Sequence, residues 1–162
     1  MGIQAPPNGT HGVKLAGGRL LWKLLKPLER MQIRSYRRTG GSNRMSRTMD
    51  FPVVLLTTKG ARSGLQRTTV VGGFPDGDDA WLVVASKGGA ARHPDWFFNM
   101  VRNPDDLWLE VGNRKMKVRG QSLTGAERTE ALKRIAAISP RYGKYQEQTD
   151  REIPIVRLTV IQ

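Results

Sequence analysis

Residues 52–86 read PVVLLTTKGARSGLQRTTVVGGFPDGDDAWLVVAS, and this stretch decides the fold. Pro52–Thr58 is a short run of β-branched and apolar residues, the composition of a buried strand. The Gly-containing turn Gly60-Ala61-Arg62-Ser63-Gly64 follows, then Gln66–Phe74 as a second strand. Pro75-Asp76-Gly77-Asp78 carries hairpin-turn chemistry, and Ala80–Ser86 forms a third strand.

Outward from this core the pattern continues. His93-Pro94-Asp95 opens a helix through Val101, because Pro94 suits a first turn and Pro104 stops continuation. Leu107–Val111 and Lys115–Gln121 flank Gly112-Asn113 as a second hairpin. Thr124 and Glu127 have capping-box spacing for a helix through Ile138. A Tyr-containing segment at 140–149 precedes a last strand, Ile153–Ile161. The order α-βββ-α-ββ-α-β, rich in hairpins, predicts an α+β barrel of mostly antiparallel strands with flanking helices. No G-x-G-x-x-G stands at a strand-to-helix turn, so a Rossmann dinucleotide site is not supported.

The 162 residues carry a net charge of +13, and +8 of it lies in residues 1–50, against +3 in 51–120 and +2 in 121–162. Residues 1–18 are expected to be a flexible leader, and 19–48 a basic amphipathic helix with connecting coil. Residues 49–162 are then the barrel domain. Leu21, Leu24, Leu25, Leu28 and Met31 recur at helical spacing among basic residues, and Pro27 is expected to kink the helix or start its second half. Such a helix, with Trp22, suits an anionic membrane surface or packs on its own domain. Nucleic-acid binding is not expected, since no groove-reading motif accompanies the charge.

The chain has no cysteine, which excludes disulfides, thiolate metal sites and Cys nucleophiles. His11 and His93 are too few for an ordinary imidazole metal site, and His93 reads as a helix-start or solvent-facing residue. No run approaches a membrane span and no signal peptide is evident. Pro6 spoils a myristoylation reading of Met1-Gly2.

Two basic glycine turns carry the chemistry. In residues 57–69, glycines let backbone N–H groups converge on an anion. Lys59, Arg62 and Arg67 add charge, and Ser63, Thr68 and Thr69 add hydroxyls. Ala85-Ser86-Lys87-Gly88-Gly89-Ala90 repeats that chemistry at a strand end. Neither fits a Walker loop, and together they favour an anionic, phosphate-bearing ligand. Trp96 and Asn99 lie about one helical turn apart, free to face it, while Phe97 and Phe98 read as core.

The runs LLTTKGARSGLQRTTVV, VVASKGGAARHPDWFFNMVRNPD and PRYGKYQEQTDREIPIVRL resemble the deazaflavin-dependent nitroreductase family, actinobacterial proteins of the flavin-reductase-like split β-barrel fold that use coenzyme F420. The resemblance covers about residues 18–160. It implies a two-electron reductase passing a hydride from reduced F420 to a quinone, activated enone or nitro compound. It places Lys59, Arg62, Ser63, Gly64 and Arg67 at the cofactor's phosphate and acidic tail, with Thr68 and Thr69 beside them. Ala85, Ser86, Lys87, Gly88 and Gly89 would run along the cofactor, Lys87 at the phosphate and Ser86 near the ring, and Trp96 and Asn99 would complete the groove. Tyr142 and Tyr145 match tyrosines bordering the substrate, Tyr142 as an orienting or proton-donating hydroxyl and, with Ser86, the catalytic candidate.

Four positions depart from the family pattern. Ala61 replaces a commonly basic residue, Val70 a common proline, Gly72 a tyrosine of nitro-drug activators, and Ser139 an aromatic. A more open, more polar pocket at Gly72 is therefore expected, with a quinone or enone as substrate. The expected setting is cytoplasmic, as a monomer or weak dimer, with the N-terminal helix peripheral on the inner face of the plasma membrane. Competing readings are F420 binding without turnover, an FMN- or haem-handling split barrel, and a basic membrane- or nucleic-acid-binding module.

Overall fold

The computed structural model describes residues 2–14 and 18–161. Six antiparallel strands close a barrel in the order β1-β2-β3-β6-β5-β4. They are β1 Val53–Lys59, β2 Gln66–Pro75, β3 Ala80–Val84, β4 Leu107–Val111, β5 Arg114–Ser122 and β6 Ile155–Val160. Closure removes the sheet edges that would otherwise need covering. The helices are α1 Gly18–Thr39, α2 Arg44–Thr48, α3 Asp95–Arg102, α4 Gly125–Ile138 and α5 Arg141–Glu147.

The near-continuous apolar run of β1 is explained by burial on both of its faces. Val54 and Leu56 point into the barrel with Phe97, Met100, Leu109 and Val118, while Val53 and Leu55 pack against Tyr36 of α1. A separate cluster, Phe74, Leu82, Val84, Ala131, Ile135, Tyr142 and Ile155, joins the barrel's other flank to α4 and α5. Phe97 is core as expected, and Phe98 is half-buried beside His93 and Arg92.

α1 runs through Pro27 as one helix. Its C-terminal half is anchored: the Tyr36 hydroxyl donates to the Val53 carbonyl at 3.1 Å and accepts from the Gly112 N–H at 3.0 Å, and Arg37 grips Glu110 through two bonds of 2.8 and 2.6 Å. Its apolar residues Leu24, Leu28 and Met31 stay exposed. The Trp22 side chain lies outside the described residues. Thr124 makes no side-chain cap bond, so the capping-box spacing is not used, and the Tyr-containing segment holds the short helix α5.

The leader differs most from its expectation. Residues 2–14 have no helix or strand, yet they lie along the barrel as a strap. Gly9 N–H donates to Ala91 O at 2.8 Å and Val13 N–H to Gly89 O at 2.9 Å. The Asp150 carboxylate accepts from Thr10 N–H, the Thr10 hydroxyl and His11 N–H. Proline and glycine there report a chain without regular structure, not a chain without partners.

Candidate active site

The strand-end turn after β3 has an unusual backbone. Ser86 is right-handed helical, with φ −73° and ψ −40°, and Lys87, Gly88 and Gly89 follow at φ +45°, +61° and +78°. Lys87 is the one non-glycine among the described residues with positive φ, a strain of order 1–3 kcal/mol that marks functional turns. A right-handed residue followed by a left-handed one turns successive N–H groups toward one point, a concave anion site. No described group accepts a hydrogen bond from the N–H of Ser86, Lys87 or Gly88. The Lys87 side chain on the same turn is half-buried, and burial lowers its pKa from the usual lysine value.

Under this turn sits Arg151, 3% exposed. Its Nε donates to Ala90 O at 2.7 Å, Nη2 to Ala85 O and Ser86 O at 3.0 and 2.8 Å, and Nη1 to His93 Nδ1 at 2.9 Å. No carboxylate pairs with it among the described residues, and burial pushes its pKa down to about 10. The guanidinium fork thus staples the turn while leaving a positive charge beneath it, which favours an anion above.

His93 stands at the entry to α3 as expected, but it is fully buried and does not face solvent. Because Nδ1 accepts from Arg151, Nε2 carries the proton and donates to Pro6 O at 2.9 Å. Burial lowers its pKa below the usual histidine value, and the Arg151 charge adds to that effect. The unfolded chain therefore binds this proton more readily. The stability contributed by neutral His93 is complete above about pH 6.5 and is lost as pH falls through the lower folded value. Asp150, pushed down to about 2 by its bonds to the strap, contributes above about pH 4 and loses that contribution as pH falls through 2. Urea midpoints are expected to fall between pH 7.5 and 5; identical midpoints at the two pH values would contradict the neutral, buried histidine.

The β1–β2 turn is joined to α3. Asn99 Oδ1 accepts from Ala61 N–H at 2.9 Å, Asn99 Nδ2 donates to Thr58 Oγ1 at 3.2 Å, and Asn103 Nδ2 donates to Lys59 O at 3.0 Å. Asn99 is therefore a tether for the turn. Gly64 takes φ +67°, and Ser63 Oγ accepts the Leu65 N–H within the turn. Arg62 and Arg67 are exposed and pair with no carboxylate among the described residues, so both remain free to meet an anion. Three expected donors are committed elsewhere. Lys59 faces Asp106 at 3.4 Å, Thr68 bonds Thr57 across the strands at 2.8 Å, and the Thr69 hydroxyl donates to Glu29 of α1 at 3.0 Å. Strand alternation sends those hydroxyls to the barrel and α1, away from the turn.

On the other side, α5 rests on the strand-end turn. A β-carbon at Gly89 would lie 3.1 Å from the Tyr145 carbonyl and from Gln148 Oε1. Tyr142 is 6% exposed and meets Phe51, Phe74 and Tyr145 edge to face. Burial, reinforced by Tyr145, raises its pKa well above the usual tyrosine value. Its hydroxyl therefore keeps its proton. The more open pocket expected at Gly72 is not found, because the Tyr142 hydroxyl fills the space where a side chain there would go. Gly72→Ala is expected to cost about 1–3 kcal/mol by overpacking. Tyr142→Phe should relieve most of that cost in a double-mutant cycle, whereas additive effects would contradict the contact.

Trp96 lies half-buried at the start of α3, packed against the barrel core. Tethered to the first turn by Asn99 and following the second through His93, α3 spans the two basic turns. Arg151, His93 and Phe51 were not evident as site residues. Arg151 sits between Asp150 and Glu152 like a solvated charge, yet the alternation of β6 run backwards through Ile155 and Ile153 puts it on the buried side. No group of three or more metal-ligating side chains converges among the described residues.

A small antiparallel barrel with an N–H cradle at a strand end and two basic glycine turns is a frame suited to an anionic ligand. The model of the F420H2-dependent quinone reductase family matches residues 28–160, and the chain belongs to that family. It is 39% identical over 113 residues to an F420H2-dependent quinone reductase of Mycobacterium tuberculosis (strain ATCC 25618 / H37Rv), covering 67% of this chain and 73% of that one. Among solved structures it is similar to an F420H2-dependent reductase, FDR-A, at 35% identity and TM-score 0.60, covering 66% of this chain and 93% of the other. It also resembles a domain-swapped dimer at 30% identity and TM-score 0.62, covering 85% and 98%. As a family member the chain is an F420H2-dependent oxidoreductase, with coenzyme F420 as its hydride donor.

Proposed function

We propose that the chain reduces quinones, and that the cofactor lies between the strand-end turn, α3 and the β1–β2 turn. The observation that carries this is the set of three N–H groups at Ser86–Gly88 with no acceptor among the described residues, on a turn that carries Lys87 and is held from below by Arg151. These residues fit a phosphate-bearing cofactor, which when bound supplies a hydride. The cradle and Lys87 hold its phosphate, and Arg62 and Arg67 meet the acidic tail without first breaking an ion pair. Ser63 and Gly64 shape that turn, Gly89 lets α5 approach, and Ala85 follows directly on the strand that aims the second turn. Trp96 supplies a flat apolar wall, and Ser86 places a hydroxyl near the ring. Tyr142 offers its retained proton to the acceptor's oxygen as a hydrogen bond, and with Phe51 and Tyr145 it forms an aromatic wall that suits a flat quinone. Supplied with F420H2, the protein should turn over a quinone faster than an enone or a nitroaromatic. Tyr142→Phe should slow turnover more than it weakens cofactor binding. A panel in which the nitroaromatic is the best substrate would refute the quinone assignment.

The exposed face of α1 supports a finer reading of partners. Leu24, Leu28 and Met31 are 68, 46 and 58% exposed and are flanked by Lys26, Arg30 and Arg34. No described helix is long and apolar enough to cross a membrane. In this reading α1 lies on an anionic lipid surface, where apolar quinones dissolve. Leu24→Glu with Leu28→Glu should abolish binding to vesicles containing anionic lipid and leave the barrel folded; unchanged binding would refute lipid contact. A monomer or weak dimer is expected in solution, and sedimentation checks it.

A further inference from the structure

The N-terminal strap crosses the back of the turn that carries the anion cradle. It lies outside residues 28–160, the part shared with the family model. Its attachment falls into three parts. Gly9 and Val13 bond the carbonyls of Ala91 and Gly89, so the strap grips the turn itself. His93, anchored to the strap through Pro6 O and through Asn8 Oδ1 on its own N–H, is bonded by Arg151, whose other donors hold Ala85, Ser86 and Ala90. Asp150 precedes Arg151 and accepts from Thr10 and His11, so adjacent residues clasp the strap and the turn. A β-carbon at Gly12 would strike the backbone of Ala90 and Ala91, which shows how closely the two chains run.

We propose that the strap of residues 6–13 and its anchors Asp150, His93 and Arg151 are positioning elements of the anion cradle, fixing the strained Ser86–Gly89 turn in its binding conformation before the cofactor arrives. The proposal rests on the cofactor placement above. Its physical basis is that a left-handed Lys87 persists only where its surroundings over-determine it. A cradle already formed in the free protein also spares the ligand the cost of ordering it. The strap contributes no group to the ligand. It acts through carbonyls and a guanidinium on the far side of the turn.

The test uses the full-length protein and its Asp150→Ala and Asp150→Asn variants, with amide exchange measured without ligand and F420 affinity measured by fluorescence. Loss of the carboxylate should free the strap and speed exchange about tenfold in peptides covering both 6–14 and 84–92, since it removes the bonds from Thr10 and His11. F420 binding should weaken by a similar factor, while the barrel still unfolds cooperatively at a urea midpoint lowered only by the lost Asp150 contribution. Because Asp150→Asn keeps an oxygen acceptor, it should fall between wild type and alanine. Faster exchange confined to 6–14, with 84–92 unchanged, would overturn the proposal, as would altered exchange at 84–92 without any loss of affinity. If wild type binds no F420, the cofactor placement fails and the positioning proposal falls with it. Wild-type binding with unchanged exchange at 84–92 in the variants overturns the positioning proposal alone.

Discussion

Arg151→Ala is expected to destabilise the protein by about 3–5 kcal/mol, because it strips partners from several buried groups at once. Ala85 O, Ser86 O and Ala90 O each lose a donor, and His93 Nδ1 loses its own. A buried acceptor left unmade costs about 1–3 kcal/mol, and partial relaxation keeps the sum below simple addition. Arg151→Lys should recover little, since an ammonium cannot span the four acceptors that a planar fork reaches. Equilibrium urea unfolding reads the result. A loss below about 1 kcal/mol would mean that the guanidinium is dispensable to the turn.

Lys87→Ala and Arg67→Ala are expected to weaken F420 binding by about 10- to 100-fold each, the range for losing one charge-assisted bond to an anion. Neither residue forms an ion pair among the described residues, so stability should change little. The two effects should also shrink as salt rises, most for the exposed Arg67. Lys59→Ala is expected to matter less, since that ammonium already faces Asp106. A fluorescence titration at two ionic strengths checks all three, and a Lys59 effect larger than that of Lys87 would reverse the assignment of the phosphate position.

The barrel was legible in the sequence because its strands are locally self-consistent. β1 is apolar throughout since both its faces are covered, and the hairpins at Asp76-Gly77 and Gly112-Asn113 carry turn residues that admit few other conformations. The two basic turns were legible for the same reason, as glycines and cations placed at strand ends. What each side chain does there was less so. Thr68, Thr69 and Asn99 look like ligand donors in one dimension, but their partners Thr57, Glu29 and Ala61 are fixed only by packing. The openness inferred from Gly72 failed because the group that fills it, Tyr142, arrives from 70 residues later in the chain. The strap and Arg151 were hidden by composition: a proline-rich segment reads as loose, and an arginine between acids reads as solvated.

The uneven charge takes on a structural meaning. The basic excess of α1 divides between Arg37, which is spent on Glu110, and a solvated face beside exposed leucines. In the proposed site the cations that would meet the cofactor are few: Arg62 and Arg67 at one turn and Lys87 on the cradle turn, with Arg151 buried beneath it.

The most direct measurement is a fluorescence titration of F420 with wild-type protein and with Lys87→Ala, followed by reaction of the F420H2-loaded wild type with a soluble quinone. The account predicts saturable binding of F420 by the wild type, about 10- to 100-fold weaker binding by the variant, and oxidation of F420H2 that depends on both quinone and protein. Absence of binding at tens of micromolar F420 would contradict it, as would binding that is indifferent to Lys87.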